Sequence, residues 1–204
     1  MTQTNIENIK AIYKLATAAE RVDGIKWYPT ARAIAQNLSE EYDVRLNVAI
    51  GVIAALSPRN KWNRNVIDAE NLITAFIADP ESAVTVKVCT FGANKAKAIA
   101  CLKLDAERDS DGVHLSEILA ILSGPKLREF ASCIAGLDDV CIDGHAYCIW
   151  TGGRTTLAEV PAIGVKLRRE IKADYQAAAA ELGLTPSDCQ AITWCAWRRI
   201  HGVG

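Results

Sequence analysis

One carboxylate, Asp143, lies in the largely apolar stretch Val140–Ala146, and apolar residues continue after it at helical spacing. An Asp at the start of a helix accepts hydrogen bonds from backbone N–H groups, and such a cap is worth roughly 1 kcal/mol. A sheltered carboxylate can also stabilise a developing positive charge or activate a water molecule. The sequence therefore offers two roles for Asp143, a helix cap and a catalytic group, and both stay open.

Lys126 and His145 are the other candidate catalytic residues. Lys126 follows the tight turn Ser123-Gly124-Pro125, and His145 closely follows Asp143. A lysine with a depressed pKa can act as a nucleophile and form an imine, whereas a surface lysine after a turn serves phosphate or solvent. His145 is either a hydrogen-bonding partner in the site or a half-buried histidine whose hydrogen bonds are satisfied elsewhere.

A basic stretch without acidic residues runs from Ser57 to Asn65. Ser57 suits an N-cap and Pro58 suits the first helical position, so the stretch predicts the start of a helix. A helix start offers N–H groups and a partial positive charge to phosphate, although basic clusters are also typical of solvated helix faces. The candidate DNA-contacting residues here are Ser57, Arg59, Asn60, Lys61, Trp62 and Arg64, with a core position as the favoured alternative for Trp62.

Composition excludes several other classes of protein. A formal net charge of −1 over 204 residues gives no global argument for nucleic-acid binding. The seven cysteines include no C-x-x-C pair, which favours reduced, buried thiols in a cytoplasmic protein over a zinc or iron–sulfur site. The sequence has neither an apolar run long enough for a membrane span nor the hydrophobic segment of a signal peptide. We expect no cofactor, no metal and no membrane partner.

Helical periodicity runs almost from end to end, so the predicted fold class is all-α. Val48–Leu56 is apolar on all sides, which is typical of a buried central helix. Gly24 and Pro29 predict a turn between a first helix and a second one over Ala31–Tyr42. Only short segments such as Val84–Val88 are compatible with strands.

Four segments in order carry a family resemblance. Ala55–Asn60 (ALSPRN) is similar to an L-S-x-x-x segment, and Phe91–Ala96 (FGANKA) is similar to a G-x-x-x-x-K-A turn. Leu122–Lys126 (LSGPK) occupies the position of a helical hairpin, and Ile142–His145 (IDGH) looks like a V-D-x-H segment. Together they resemble the helix-hairpin-helix (HhH-GPD) DNA glycosylase superfamily over roughly residues 47–152.

The resemblance implies an HhH-GPD glycosylase-like helical fold with two intimate lobes in a single domain, 1–204. One lobe would come mainly from 48–135, and the second from the N-terminal helices and 143–204. It implies that Asp143 is catalytic, that Gly124 and Lys126 of the hairpin grip a DNA phosphate, and that a side chain near Arg59 wedges into the duplex. The implied partner is DNA, modified or not, with one base flipped out of the stack.

Two departures from the family keep alternatives open. Pro125 shortens the usual G-x-G of the hairpin and removes one backbone N–H, and the family's C-terminal cysteine cluster is missing. The segment 190–199 looks more like divergent phage-borne relatives of the glutamyl/putrescinyl-thymine pyrophosphorylase type, which act in making hypermodified thymine. One alternative is therefore a transferase that adds a small amine or amino acid as co-substrate to such a thymine. The other is a DNA-binding helical module without chemistry. A phage origin implies the cytoplasm of a bacterial host.

Overall fold

A computed structural model describes residues 3–108, 112–156 and 159–203. These residues form ten α-helices and one short 3-10 turn, Ser82–Val84, and contain no strand. The all-α prediction is confirmed, and Val84–Val88 holds no strand. The helices are α1 (Gln3–Leu15), α2 (Ala18–Tyr42), α3 (Leu46–Leu56), α4 (Trp62–Ala78), α5 (Gly92–Ala106), α6 (Leu115–Leu122), α7 (Pro125–Ile134), α8 (Gly144–Thr151), α9 (Val165–Leu182) and α10 (Pro186–His201).

The predicted turn at Gly24 and Pro29 is wrong, because α2 runs through both residues. A Cβ atom on Gly24 would lie only 2.6 Å from the Cα of Ile192. Glycine is therefore needed for close packing of α2 on α10. The Tyr28 hydroxyl adds to this packing by donating to Oε1 of Gln190 at 2.7 Å. Tertiary contacts thus override the local signal of a helix break.

The chain divides into two compact units. Unit 1 comprises the residues up to Pro29 and those from Gly136 onwards, and unit 2 comprises Thr30–Ala135. The prediction that 1–204 forms one glycosylase-like domain with lobes over 48–135 and 143–204 stays a prediction.

Unit 2 is built around α3. Every residue from Val48 to Leu56 is buried, and α4, α5, α6 and α7 all pack against this helix. Gly51 lets the neighbouring helices approach closely, because a Cβ atom there would lie 2.7 Å from Cγ2 of Ile118. The expected central helix is therefore the centre of this unit.

Unit 1 packs α1, α8, α9 and α10 around a core that contains Ile9, Ile149, Ile171 and Tyr175. Tyr175 is fully buried, and burial raises its pKa well above the ordinary tyrosine value. Its hydroxyl faces the Ala146 carbonyl at 3.4 Å. This core fixes α8, the helix that follows Asp143. Across the described ranges, no helix is long and apolar enough to cross a membrane.

Candidate functional site

Asp143 is the N-cap of α8. Its backbone is extended, and its Oδ1 accepts the Ala146 N–H at 2.9 Å. The side chain is half-buried, and Oδ2 makes no hydrogen bond with any described residue. The hydrogen bond and the partial positive charge of the helix start both favour a negative charge here. Capping thus occupies one oxygen, and the second oxygen is left for another partner.

Two basic side chains of α9 hold the segment that leads into Asp143. Nη1 of Arg168 donates to the Ile142 carbonyl at 3.0 Å, and Nζ of Lys172 donates to Oδ1 of Asp139 at 2.5 Å. Arg168 and Lys172 are half-buried, in contrast to the exposed basic residues of the same helix. This part of the basic sequence cluster therefore helps to fix the Asp143 backbone.

His145 lies in the first turn of α8 and is half-buried. The pKa of His201 is lowered by burial and, to a smaller extent, by the nearby charges of Arg154 and His145. Nη2 of Arg154 donates to the His201 carbonyl at 3.2 Å. His145 thus belongs to a neighbourhood of basic side chains at the C-terminal end of α10.

A buried carboxylate, Asp174, supports the other end of α8. It is 1% exposed, and its Oδ2 accepts the indole N–H of Trp150 at 2.8 Å. Its Oδ1 has no hydrogen-bond partner within the described ranges. The Trp150 carbonyl in turn accepts the side-chain amide of Asn8 at 3.1 Å. Asp174 therefore anchors the helix that Asp143 caps.

In unit 2, the prediction that Ser57 caps the next helix is wrong. Ser57 is the C-cap of α3, and its Oγ and backbone N–H both donate to the Ala54 carbonyl. The physical reason is that a turn follows, with Arg59 at φ +55° and the Asn60 N–H donating to the Ser57 carbonyl. The α4 helix begins only at Trp62, with Lys61 as an N-cap that makes no side-chain capping bond.

The loop after α3 and the loop before α5 both bond to Asp68, a fully buried residue of α4. Its Oδ2 accepts the side-chain amide of Asn60 at 3.0 Å and the backbone N–H of Cys89 at 2.7 Å. Its Oδ1 accepts Nε of Arg64 at 2.7 Å. A second link joins the same loops, because the Thr90 hydroxyl donates to the Pro58 carbonyl at 3.0 Å.

Four exposed residues lie in and beside these two loops: Arg59, Lys61, Arg64 and Phe91. We call the surface that they form the basic face. The Arg59 guanidinium lies over the Phe91 ring at 5.2 Å from its centroid, although 52% of Phe91 is exposed. Phe91 is also the N-cap of α5 and makes no side-chain capping bond. The face therefore combines three cations, an aromatic ring and the starts of two helices.

The predicted hairpin is present as α6, a tight turn and α7. The left-handed residue of the turn is Ser123 (φ +41°), whereas Gly124 has φ −94° and is the N-cap of α7. The Gly124 N–H already donates to the Leu122 carbonyl, and Pro125 has none to offer. Lys126 follows in the first turn of α7 and is half-buried. The Gly124 amide is therefore already engaged within the turn, and a phosphate contact by Gly124 and Lys126 stays a prediction.

Trp62 is half-buried at the start of α4 and packs edge-on against Phe130 of α7, with ring centroids 6.4 Å apart. The predicted contact residues of 57–64 thus lie together in unit 2. Asp143 and His145 belong to unit 1 and Lys126 to unit 2, so the shared site of Asp143 and Lys126 stays a prediction.

Sequence reasoning missed Asp68, Phe91 and Asp174. The four-residue spacing of Arg64 and Asp68 on one helix was an available signal for the first of them, and an aromatic residue at a helix start was one for Phe91. Asp174 carries no sequence signal, since it resembles any polar residue of an amphipathic helix. No group of three or more His, Cys, Asp or Glu side chains within the described ranges is placed to hold a metal ion.

Residues 1–201 match a protein family described as "Family of unknown function (DUF7178)". The chain belongs to this family. No curated protein and no solved structure matches it. The family description names no activity.

Proposed function

We propose that this protein acts on bases in DNA as an enzyme of the helix-hairpin-helix glycosylase type, with Asp143 as its catalytic carboxylate. One observation carries the proposal: Asp143 is half-buried, and it caps α8 with Oδ1 while Oδ2 bonds to no described residue. The α6–α7 hairpin and the resemblance of four ordered segments support the finer HhH-GPD fold.

The chemistry needs a fixed negative charge. When the bond between the sugar C1′ and the base nitrogen breaks, the bonding electrons leave with the base and positive charge develops on the sugar. A preorganised carboxylate stabilises that charge and orients a water molecule that adds to C1′ and loses a proton. The products are a free base and an abasic site. Asp143 suits this role because Ala146, Arg168 and the core of unit 1 fix its position.

The basic face supplies the DNA contact in this proposal. Its three cations, Arg59, Lys61 and Arg64, are matched to the phosphates of one strand. Extruding a base costs a few kcal/mol, and Trp62 at the start of α4 is suited to fill the vacated space. In this proposal Lys126, in the first turn of α7, also contacts a DNA phosphate.

Mass spectrometry of modified and unmodified oligonucleotides incubated with the protein tests the proposal. A glycosylase releases a free base and leaves an abasic site. A gain in oligonucleotide mass in the presence of an amine or amino acid would instead identify the transferase, and unchanged DNA would leave a binding module.

Asp143→Asn is the decisive variant. Asparagine keeps an oxygen for the Ala146 N–H but removes the charge, so turnover should fall by at least about 100-fold while DNA binding is kept. Thermal unfolding serves as the control, because a retained cap keeps the stability close to that of the parent protein. Full activity of Asp143→Asn would reduce Asp143 to a helix cap.

Lys126 is tested separately with borohydride, which traps an imine between a lysine and the sugar. We expect no trapped adduct, and we expect Lys126→Ala to weaken DNA binding while turnover at saturation is largely kept. An adduct that disappears in Lys126→Ala would make Lys126 the nucleophile.

A further inference from the structure

The three cations of the basic face differ in how they are held. Arg64 is tied by Nε to the buried Asp68 at 2.7 Å, whereas the Arg59 guanidinium rests on the exposed Phe91 ring. Lys61 is exposed and makes no hydrogen bond with a described residue through its side chain. Among these cations, only Arg64 has its side-chain direction set by a buried group.

The hydrogen bond from Arg64 to Asp68 uses Nε and leaves the two terminal nitrogens of the guanidinium available for another partner. Nε donates the hydrogen bond to Asp68, and Nη1 and Nη2 make no hydrogen bond within the described chain. The side chain is 47% exposed, although its partner carboxylate is 0% exposed. A guanidinium anchored at Nε presents its two terminal nitrogens as a planar fork, which fits two oxygens of one phosphate.

The anchor itself is rigid. Asp68 is bonded at the same time to Asn60 and to the Cys89 backbone N–H, so it cannot follow Arg64 if that side chain moves. Cys89 precedes the start of α5 by a few residues, which places the fork beside the loop that carries Phe91. The direction of the fork is therefore fixed relative to the rest of the basic face.

We propose that Asp68 is a positioning residue that holds Arg64 as a bidentate clamp for a single DNA phosphate, which makes Arg64 the one cation of the face that lysine cannot replace. The inference rests on the DNA binding proposed above and assigns unequal roles to its cations. A lysine at position 64 has one ammonium group, which the buried Asp68 carboxylate would draw towards itself, and it has no planar pair of nitrogens to bind two oxygens of a phosphate. A lysine at position 59 has no such competitor.

The first test measures binding of a short fluorescent DNA duplex against salt concentration for Ala and Lys variants at both positions. Arg64→Ala and Arg64→Lys should both weaken binding roughly tenfold, the size expected of one charge-assisted hydrogen-bonded contact, and both should lower the salt slope by about one unit. At Arg59, lysine should restore most of the affinity and slope that alanine removes. Equal rescue by lysine at both positions would overturn the clamp.

A second test asks whether Asp68→Asn strengthens or weakens DNA binding. Asp68→Asn removes a negative charge beneath the face, so simple electrostatics predicts tighter DNA binding. The clamp predicts weaker binding, because Arg64 loses its anchor. In an Arg64→Ala background the same change should no longer weaken binding. A purely structural role for Asp68 would weaken binding in both backgrounds, and that result would overturn the positioning role.

The outcomes separate the two proposals. If the unmodified protein shows no salt-dependent binding to DNA, both the proposed function and the clamp fall. If it binds DNA but lysine at position 64 behaves like arginine, the clamp alone falls. Thermal unfolding of each variant confirms that affinities are compared between folded proteins. Arg64→Lys keeps a positive charge beside the buried Asp68 carboxylate, so the comparison of lysine at positions 59 and 64 stays valid even if Asp68→Asn or Arg64→Ala fails to fold.

Discussion

The carboxylates of Asp68 in unit 2 and Asp174 in unit 1 are both at most 1% exposed, and they are held very differently. Asp68 accepts three hydrogen bonds spread over both oxygens, from Asn60, Arg64 and the Cys89 backbone. Asp174 accepts one, from the Trp150 indole, and its other oxygen is unbonded within the described ranges. Burying a carboxylate costs several kcal/mol unless hydrogen bonds or an opposite charge compensate.

The difference follows what each carboxylate holds in place. Asp68 ties two loops and an arginine beneath an exposed face, so every donor comes from a segment that must be fixed. Asp174 ties a single side chain of α8 inside a core that apolar packing already fills. The charge of Asp68 is therefore well compensated, and that of Asp174 only in part. Removing each group, or only its charge, sharpens this comparison.

The largest effect is expected for Asp68→Ala. It leaves the Cys89 backbone N–H and one N–H of the Asn60 side chain unpaired and removes the partner of Arg64, so the free energy of unfolding should fall by about 3–5 kcal/mol. Urea denaturation measures this loss. Asn63→Ala, an exposed change in the same helix, is the control and should stay within about 0.5 kcal/mol of the parent protein. Equal stability of the two variants would contradict the role given to Asp68.

Trp150→Phe should have an intermediate effect. Phenylalanine keeps an aromatic ring but removes the N–H that donates to Oδ2 of Asp174, so this buried carboxylate loses that hydrogen bond and stability should fall by about 2 kcal/mol. Trp194→Phe is the matched control, because the Trp194 indole makes ring contacts with Trp27 and Arg198 but no hydrogen bond to a described residue. Similar losses for the two variants would show that ring size rather than the hydrogen bond matters.

The smallest effect, with the opposite sign, is expected for Asp174→Asn. The amide oxygen still accepts the Trp150 N–H while a poorly compensated buried charge disappears, so stability should rise by up to about 1 kcal/mol. Asp68→Asn should lower stability, because Arg64 loses its ion pair. Calorimetric melting of both variants at neutral pH checks the signs. If Asp174→Asn lowers stability as much as Asp68→Asn does, the two buried charges are equally well compensated and the contrast between them is wrong.

The helices that the sequence predicts best are those with explicit end signals. A capping box, a proline start or a glycine end marks the bounds of α6, α9 and α10, and each of these signals can be read from the sequence. The α2 helix was mispredicted, since the packing reason for Gly24 comes from a residue far along the chain.

The α4 helix explains why much of the candidate site escaped sequence reasoning. The structure buries Asn65 and Asp68 beside the apolar residues of this helix and leaves 48% of Ile67 exposed. The burial of a polar residue can be predicted from sequence only when its hydrogen-bond partners are known. The partners of Asp68 include a backbone amide from a distant loop, which no sequence pattern reveals. The position of Asp143 at a helix start was predictable because apolar periodicity begins directly after it.

The eight-residue α8 helix has a consequence for the order of folding. A helix this short is not stable alone in water. It persists because Asp143 caps its start, Asn8 bonds the Trp150 carbonyl near its end, and Asp174 holds the Trp150 indole. Because Asn8 lies on α1 and Asp174 lies on α9, we expect α8 to form only after those helices have docked. Asp143, the proposed catalytic carboxylate, would then reach its position late in folding, and the amides of α8 should gain protection from hydrogen exchange after those of α9.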